Sequence, residues 1–437
     1  MALKAPMLLL LLLGSWRSWS LEYPLAVGTQ VLLDATTTAV GGFPMLSRFE
    51  LWVLDERKEG VFDSVWATYA AAGQPGESLA GAIPVSLKKD GGKEFPMERE
   101  ATYKLQEQVE SFVPTLPPRF DRVWRGPASV TGWYSSYQPI EVLPDRIRCS
   151  FTQYGLDKMD QVYGTETLGE IFFNSRYNWV TEMRFSTKQP SPQGPVVVAQ
   201  AQVKLRQVLP RDQKWVTERK GEAKEFFNAV RAHDDGLLKA NDNLEAATMD
   251  LKPVLEVWDR FLAKNPTSRF TKLGQTQFRV LQAQVPALQQ LWLTRKRTIG
   301  SPAPPWTLSD TQGGTYTSQS FDSPVLLLFW SRANWWSLMA LRDAQQIQQA
   351  YQSKGLLVLP VNVDATDQEA VQTLSILGIG LTTLRNYPPS LPTACGIPPG
   401  YYPSTVLIDR NKRIADVRYG WGEQVAAELK KRIEKAL

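Results

Sequence analysis

Residues 324–341 read PVLLLFWSRANWWSLMAL. The unbroken apolar run Val325–Trp330 is short enough for a strand and leaves no polar face, as expected of a strand covered on both sides. After a polar break, Trp336, Ala340, Ala344, Ile347 and Tyr351 recur at helical spacing and mark one face of a helix. A buried strand that runs straight into a helix is the unit of an α/β sheet, and the residues downstream repeat it. Leu356–Asp364 reads as a second strand, in which Pro360 demands an edge or a bulge because proline has no N–H to donate. Val371, Leu374 and Leu377 mark a short helix, and a long loop spans Gly378–Tyr402. Strand Ser404–Asp409, a turn at Arg410-Asn411, strand Arg413–Tyr419 and amphipathic helix Glu423–Leu437 complete the pattern. The proline-rich segment Gly300–Trp306 punctuates its start, so one α/β domain is expected over 299–437.

Upstream the texture differs, and the 437 residues predict a multidomain α+β chain. Over 215–298 the apolar period is helical. Val254, Val257, Trp258, Phe261 and Leu262 follow Pro253 and stop at Asn265-Pro266, and a second stripe runs from Phe278 to Trp292, interrupted at Pro286. A helical hairpin connecting two larger domains is expected there, with Trp258 and Trp292 in its core. Over 21–214 short segments rich in β-branched and aromatic residues predominate: Thr29–Leu33, Phe49–Leu54, Ala128–Trp133, Arg146–Phe151, Trp179–Phe185 and Pro195–Val203. They predict a β-rich domain, as an antiparallel sheet, a sandwich or a half-barrel. Residues 1–20 place Lys4 before an apolar run, Ala5–Leu13, and small residues after it. That order predicts a secretory signal peptide or, if uncleaved, a membrane anchor.

Four stretches of the last domain, in register, resemble the redoxin-type thioredoxins of the bacterial cell envelope, the TlpA and ResA group. They are GSPAPPWTLSD (300–310), PVLLLFWSRANWWSLMAL (324–341), LLVLPVNVDATDQEAV (356–371) and PPGYYPSTVLIDRNKRIADVRYG (398–420). The resemblance implies a thioredoxin-like fold with a Trp-Cys-x-x-Cys sequence where strand meets helix. A thiolate at that point faces the unpaired amides and positive dipole end of the helix, and a second cysteine one turn on resolves the mixed disulfide. Here the two positions are Asn334 and Ser337. An amide and a hydroxyl form no disulfide, so dithiol exchange is not expected, while Asn334 remains a favoured helix cap. The resemblance also implies that Pro403 is cis and borders a peptide groove lined by Trp335, Trp336 and Tyr402; the alternative is that the paired tryptophans seal the old site.

Cys149 and Cys395 are the only cysteines and lie in different expected domains, so they form either an inter-domain disulfide or two buried thiols. Cys395, eight residues before Pro403, is the one thiol a rival single-cysteine oxidoreductase would use. The single histidine, His233, excludes a histidine-rich metal site, and no metal or cofactor is expected. Without Lys4 and Arg17 the charge balance is 47 basic to 44 acidic residues. The short basic cluster Arg295-Lys296-Arg297 reads as a solvated helix end, so no nucleic-acid partner is expected. The sequence therefore points to an exported cell-envelope or periplasmic protein. Its degenerate thioredoxin-like domain is expected to be a protein-binding or structural module that holds a protein or peptide segment, with membrane contact only through an uncleaved leader.

Overall fold

The computed structural model describes residues 22–437 except 59, 71–78, 98–102, 118–119, 121, 127–133, 144, 155–165, 175–176, 190–195, 333, 366 and 388. The expected signal segment, residues 1–20, and the expected strand Ala128–Trp133 lie outside the described residues. The chain forms two compact units, one of described residues up to 223 and one of residues 224–437.

In the first unit the strands are β1 (Thr29–Ala39), β2 (Met45–Lys58), β3 (Val61–Ala70), β4 (Leu79–Lys88) and β5 (Lys93–Glu94). After helix α1 (Tyr103–Phe112) come β6 (Trp124–Arg125), β7 (Tyr134–Val142), β8 (Arg146–Tyr154), β9 (Glu166–Asn174), β10 (Trp179–Gln189) and β11 (Val196–Pro210). Among the described residues they make one antiparallel sheet in the order β5-β4-β3-β2-β1-β11-β10-β9-β8-β7-β6. Within each half, β1–β5 and β6–β11, consecutive strands pair, and β1 with β11 joins the two halves along a register from Thr29↔Pro210 to Ala39↔Ala199. Strand alternation sends Val31, Leu33, Phe49, Leu51, Val53 and Trp66 to one face, where they pack with Val109 and Phe112 of α1. The Phe112 ring lies 5.0 Å from Phe49 and 5.9 Å from Trp66. Opposite parity sends Glu50 and Trp52 to the other face, where the buried Glu50 carboxylate accepts from Gln30 Nε2 and Trp52 Nε1, each at 2.7 Å.

The helical region contains three described helices instead of the expected hairpin: α2 (Gln213–Asp242), α3 (Lys252–Lys264) and α4 (Thr271–Thr298). Phe226 of α2 packs on Trp258 and Phe261 of α3 and on Phe270, with centroids 4.8–6.0 Å apart. Pro286 lies inside α4 without ending it. Trp258 and Trp292 are buried.

Beyond it come the hairpin β12 (Thr307–Ser309) and β13 (Thr315–Thr317), then β14 (Val325–Trp330), α5 (Trp335–Tyr351), β15 (Leu357–Asn362), α6 (Asp367–Leu377), β16 (Leu384–Arg385) and α7 (Ser390–Ala394). The last elements are β17 (Ser404–Ile408), β18 (Ile414–Tyr419) and α8 (Glu423–Ala436). The sheet order is β16-β15-β14-β17-β18, with β14 parallel to β15 and antiparallel to β17. All six residues of β14 are buried, as a strand covered on both faces requires. Pro360 is tolerated because β16 pairs with β15 only at Val361 and Asn362, which leaves the strand locally an edge. The segment 378–402 is less of a loop than its composition suggests, since it holds β16 and α7. No helix among the described residues is long and apolar enough to cross a membrane.

Candidate functional site

The chain leaves β14 at Trp330 and enters α5 at Trp335, and Asn334 caps that helix. Its backbone is extended (φ −114°, ψ 115°), and its Oδ1 accepts from Trp336 N at 2.9 Å, which satisfies one of the orphan amides of the first turn. Its Nδ2 donates to the carbonyl of Tyr402 at 2.7 Å. One side chain therefore ties the helix start to the loop before β17. The Tyr402–Pro403 bond is cis, as the family resemblance implied, and Tyr402 N donates to Gly400 O at 3.0 Å. Both backbone groups of Tyr402 are thus used within the chain. Ser337 is fully buried one turn into α5, and its hydroxyl accepts from Ser331 N at 3.2 Å. Trp336 is half-buried, whereas Ala333 and the Trp335 side chain lie outside the described residues.

Sequence reasoning missed the polar network beside this turn. Asp364 accepts from Ser331 Oγ at 2.6 Å, from Arg332 N at 2.7 Å and from Asn362 Nδ2 at 2.9 Å. Arg385 donates to Asn362 Oδ1 at 3.0 Å and to the Asp364 carbonyl at 3.1 Å. The signal was there in VNVD (361–364), where polar residues begin to alternate at the C-terminal end of an apolar strand. The network fixes the backbone of the turn by tying Ser331 and Arg332 to the end of β15.

Both cysteines are free and buried, Cys149 in the first-unit core and Cys395 at the end of α7 in the second unit. Burial pushes each thiol up to about 12, because the low-dielectric interior disfavours the thiolate. A buried thiol held in its protonated form is a poor nucleophile, since the thiolate is the reactive species. His233 is also structural: its Nδ1 accepts from Trp258 Nε1 at 2.9 Å. Among the described residues no group of three or more His, Cys, Asp or Glu side chains is arranged to hold a metal.

The second unit contains a further charged cluster, and it overturns one sequence expectation. Arg295 is not part of a solvated helix end; it is fully buried. Its guanidinium donates to Asp416 Oδ1 at 2.8 Å, to Val417 O at 2.6 Å and to Asn241 O at 2.7 Å, and lies 3.4 Å from Asp242 Oδ1. Arg418 pairs with the same two acids, at 2.7 Å to Asp416 and 2.6 Å to Asp242. The four side chains close a ring of alternating charge that joins α2, α4 and β18. The helical wheel gave no warning, because an arginine at a helix end next to two other bases has the pattern of a solvated terminus.

No protein-family model matches the chain, and no curated protein matches it. Solved structures similar to part of it include a protein assigned as the thiol:disulfide interchange protein DsbE of Chlorobium tepidum, with 26% identity over 32% of this chain and 96% of that one and a TM-score of 0.30. The thioredoxin domain of a thiol-disulfide oxidoreductase of Bacteroides vulgatus has 18% identity over 30% of this chain and 96% of its own, with a TM-score of 0.28. A secreted Mycobacterium tuberculosis disulfide oxidoreductase homologous to E. coli DsbE has 15% identity over 30% and 95%, with a TM-score of 0.27. Each likeness covers under a third of this chain.

Proposed function

We propose that residues 299–437 are a thioredoxin-like module without redox chemistry, carried by an exported cell-envelope protein, and that the module serves a structural or protein-binding role. The observation that supports this most is the double use of Asn334. At the position where the redoxin pattern has its attacking cysteine, this chain places a side chain that caps the helix and holds the Tyr402 carbonyl at 2.7 Å. Thiol exchange needs a thiolate to attack one sulfur while a second sulfur leaves; an amide at 334 and a buried hydroxyl at 337 supply neither. The tie to Tyr402 also favours a sealed site over an open groove, because a peptide pairing with that carbonyl would have to share it with Asn334. Lys4 and the run Ala5–Leu13 support the export part of the reading.

The rival, an oxidoreductase working through Cys395 alone or with a partner, is disfavoured by the burial of that thiol. Reduction of insulin by dithiothreitol separates the two. The expected result is a rate equal to the protein-free control, unchanged by Cys395→Ser. Catalysed turnover that disappears with Cys395→Ser would replace this reading with the rival.

A further inference from the structure

In the second unit, the hairpin β12–β13 directs part of its backbone away from its own ladder. Ser318 N donates to Trp306 O at 2.9 Å and Asp310 N to Gly314 O at 2.7 Å. Hydrogen-bonded and non-hydrogen-bonded pairs alternate in an antiparallel ladder, so with Leu308 opposite Tyr316 the bonded residues of this strand are Trp306, Leu308 and Asp310. The N–H and C=O groups of Thr307 and Ser309 therefore point to the other edge. There β12 meets the chain of β16 at an isolated bridge, Asp310 opposite Leu384, and Thr311 N donates to Thr383 O at 3.1 Å. Beyond that bridge, among the described residues, no further pairing joins Thr307–Ser309 to Arg385–Tyr387.

The two segments part into a cleft of about 340 Å³, lined by Thr307–Ser309 together with Ala365 and Arg385–Tyr387. Ligand clefts run from about 300 to 1,000 Å³, so this one has room for a short segment only. Thr307 and Ser309 are exposed, while Leu308 between them packs against the core. Their amides repeat at about 7 Å, the two-residue period of an extended chain. Tyr387 is 61% exposed and presents its ring at the same cleft. No lining residue is acidic, and the guanidinium of Arg385 donates to Asn362 Oδ1 and the Asp364 carbonyl. The cleft thus offers a row of backbone groups and one aromatic ring.

We propose that this cleft is a peptide-docking site: an extended segment of a partner protein adds as a strand to the outer edge of β12, pairs with the N–H and C=O of Thr307 and the N–H of Ser309, and lays a side chain against Tyr387. The proposal rests on the protein-binding reading above and gives it a surface that uses neither Asn334 nor the Tyr402 carbonyl. An extended chain is the ligand whose own donors and acceptors repeat at the spacing of Thr307 and Ser309, and strand addition draws its affinity from such main-chain bonds. An exposed tyrosine beside the edge is a residue type favoured as an interface anchor. Because backbone groups carry the contact, it depends little on salt and tolerates different side chains on the partner.

The test selects linear peptides from a random phage-displayed library on the immobilised full chain and measures synthetic copies of the selected peptides by fluorescence anisotropy. Binding should fall about tenfold with Ser309→Pro, which removes one backbone donor, and by a similar factor with Tyr387→Ala. Ser309→Ala keeps the donor and should bind as the native chain does. Should Ser309→Pro fail to fold by far-UV circular dichroism, the peptide itself decides: N-methylation of one alternate set of its amides should abolish binding, and of the other set should not. Failure to select any peptide would overturn the proposal, as would binding indifferent to Ser309→Pro, Tyr387→Ala and N-methylation. Binding lost with Asn334→Ala but not with Tyr387→Ala would assign the contact to the old groove and overturn it equally. Catalysed insulin reduction would instead refute the non-redox reading and leave this cleft as it is, so the two failures are told apart.

Discussion

At the turn after β14, Asn334 and Ser337 are neutral side chains that meet backbone partners; around Arg295 the buried side chains are charged and pair with one another. The two assemblies lie in the same unit, and the difference shows what each can lose. Asn334 holds a helix start in place through two hydrogen bonds and Ser337 through one, so a substitution there loses one or two neutral contacts. Arg295, Asp416, Arg418 and Asp242 hold three elements together through ion pairs, so removing any one strands a charge in the interior.

That contrast gives its largest test at Arg295. Arg295→Ala leaves Asp416 without its 2.8 Å partner and exposes three backbone and side-chain acceptors to an empty space. A loss of about 3–5 kcal/mol is expected for breaking a buried pair, read from urea unfolding of the whole chain. A loss below about 1 kcal/mol, the range of surface pairs, would show that the ring contributes little.

At the neutral site the expected effect is smaller. Asn334→Ala removes a cap and the bond to Tyr402, at about 1–2 kcal/mol together. Asn334→Asp sharpens this, because a carboxylate still accepts from Trp336 N but cannot donate to the Tyr402 carbonyl. Full stability in the Asp variant would show that the tie across to Tyr402 is dispensable. The mildest test is alkaline pH. Both thiols are held protonated in the folded chain, up to about 12, whereas an unfolded cysteine ionises near about 8.5. Their contribution to stability is complete below that lower value and falls as pH rises toward the upper one. The midpoint of thermal unfolding should therefore decline above about pH 8.5, less so in Cys149→Ala or Cys395→Ala, and in the native chain at pH 8 neither thiol should react with an alkylating agent. Rapid native-state alkylation of Cys395 would contradict its assigned burial.

What the sequence allowed follows the same division. β14 and the face of α5 were legible because burial on both sides leaves an uninterrupted apolar run, and a cap leaves Asn at the helix start. The β-rich character of the first 200 residues was legible, but which strands pair was not, since β1 finds β11 across more than 150 residues and no local pattern records that. Helix α2 carries two interior glycines, which lower helix propensity and weaken its pattern. Gly236 lets α3 approach: a Cβ there would lie 2.9 Å from Val254 Cγ2. Arg295 was misread for a related reason, because burial of a charge depends on acids supplied by residues 242 and 416, far away in the chain. Tertiary pairing of polar groups leaves no periodic trace.

Restoring sulfur at the two degenerate positions tests the central claim most directly. In oxidised Asn334→Cys, Ser337→Cys protein the two new cysteines should form one disulfide, while the native chain keeps two unreactive thiols, and insulin reduction should rise well above the protein-free control only in the variant. Equal turnover by the native chain, or two new thiols that cannot be joined, would contradict the account of a thioredoxin-like site that lacks only its chemistry.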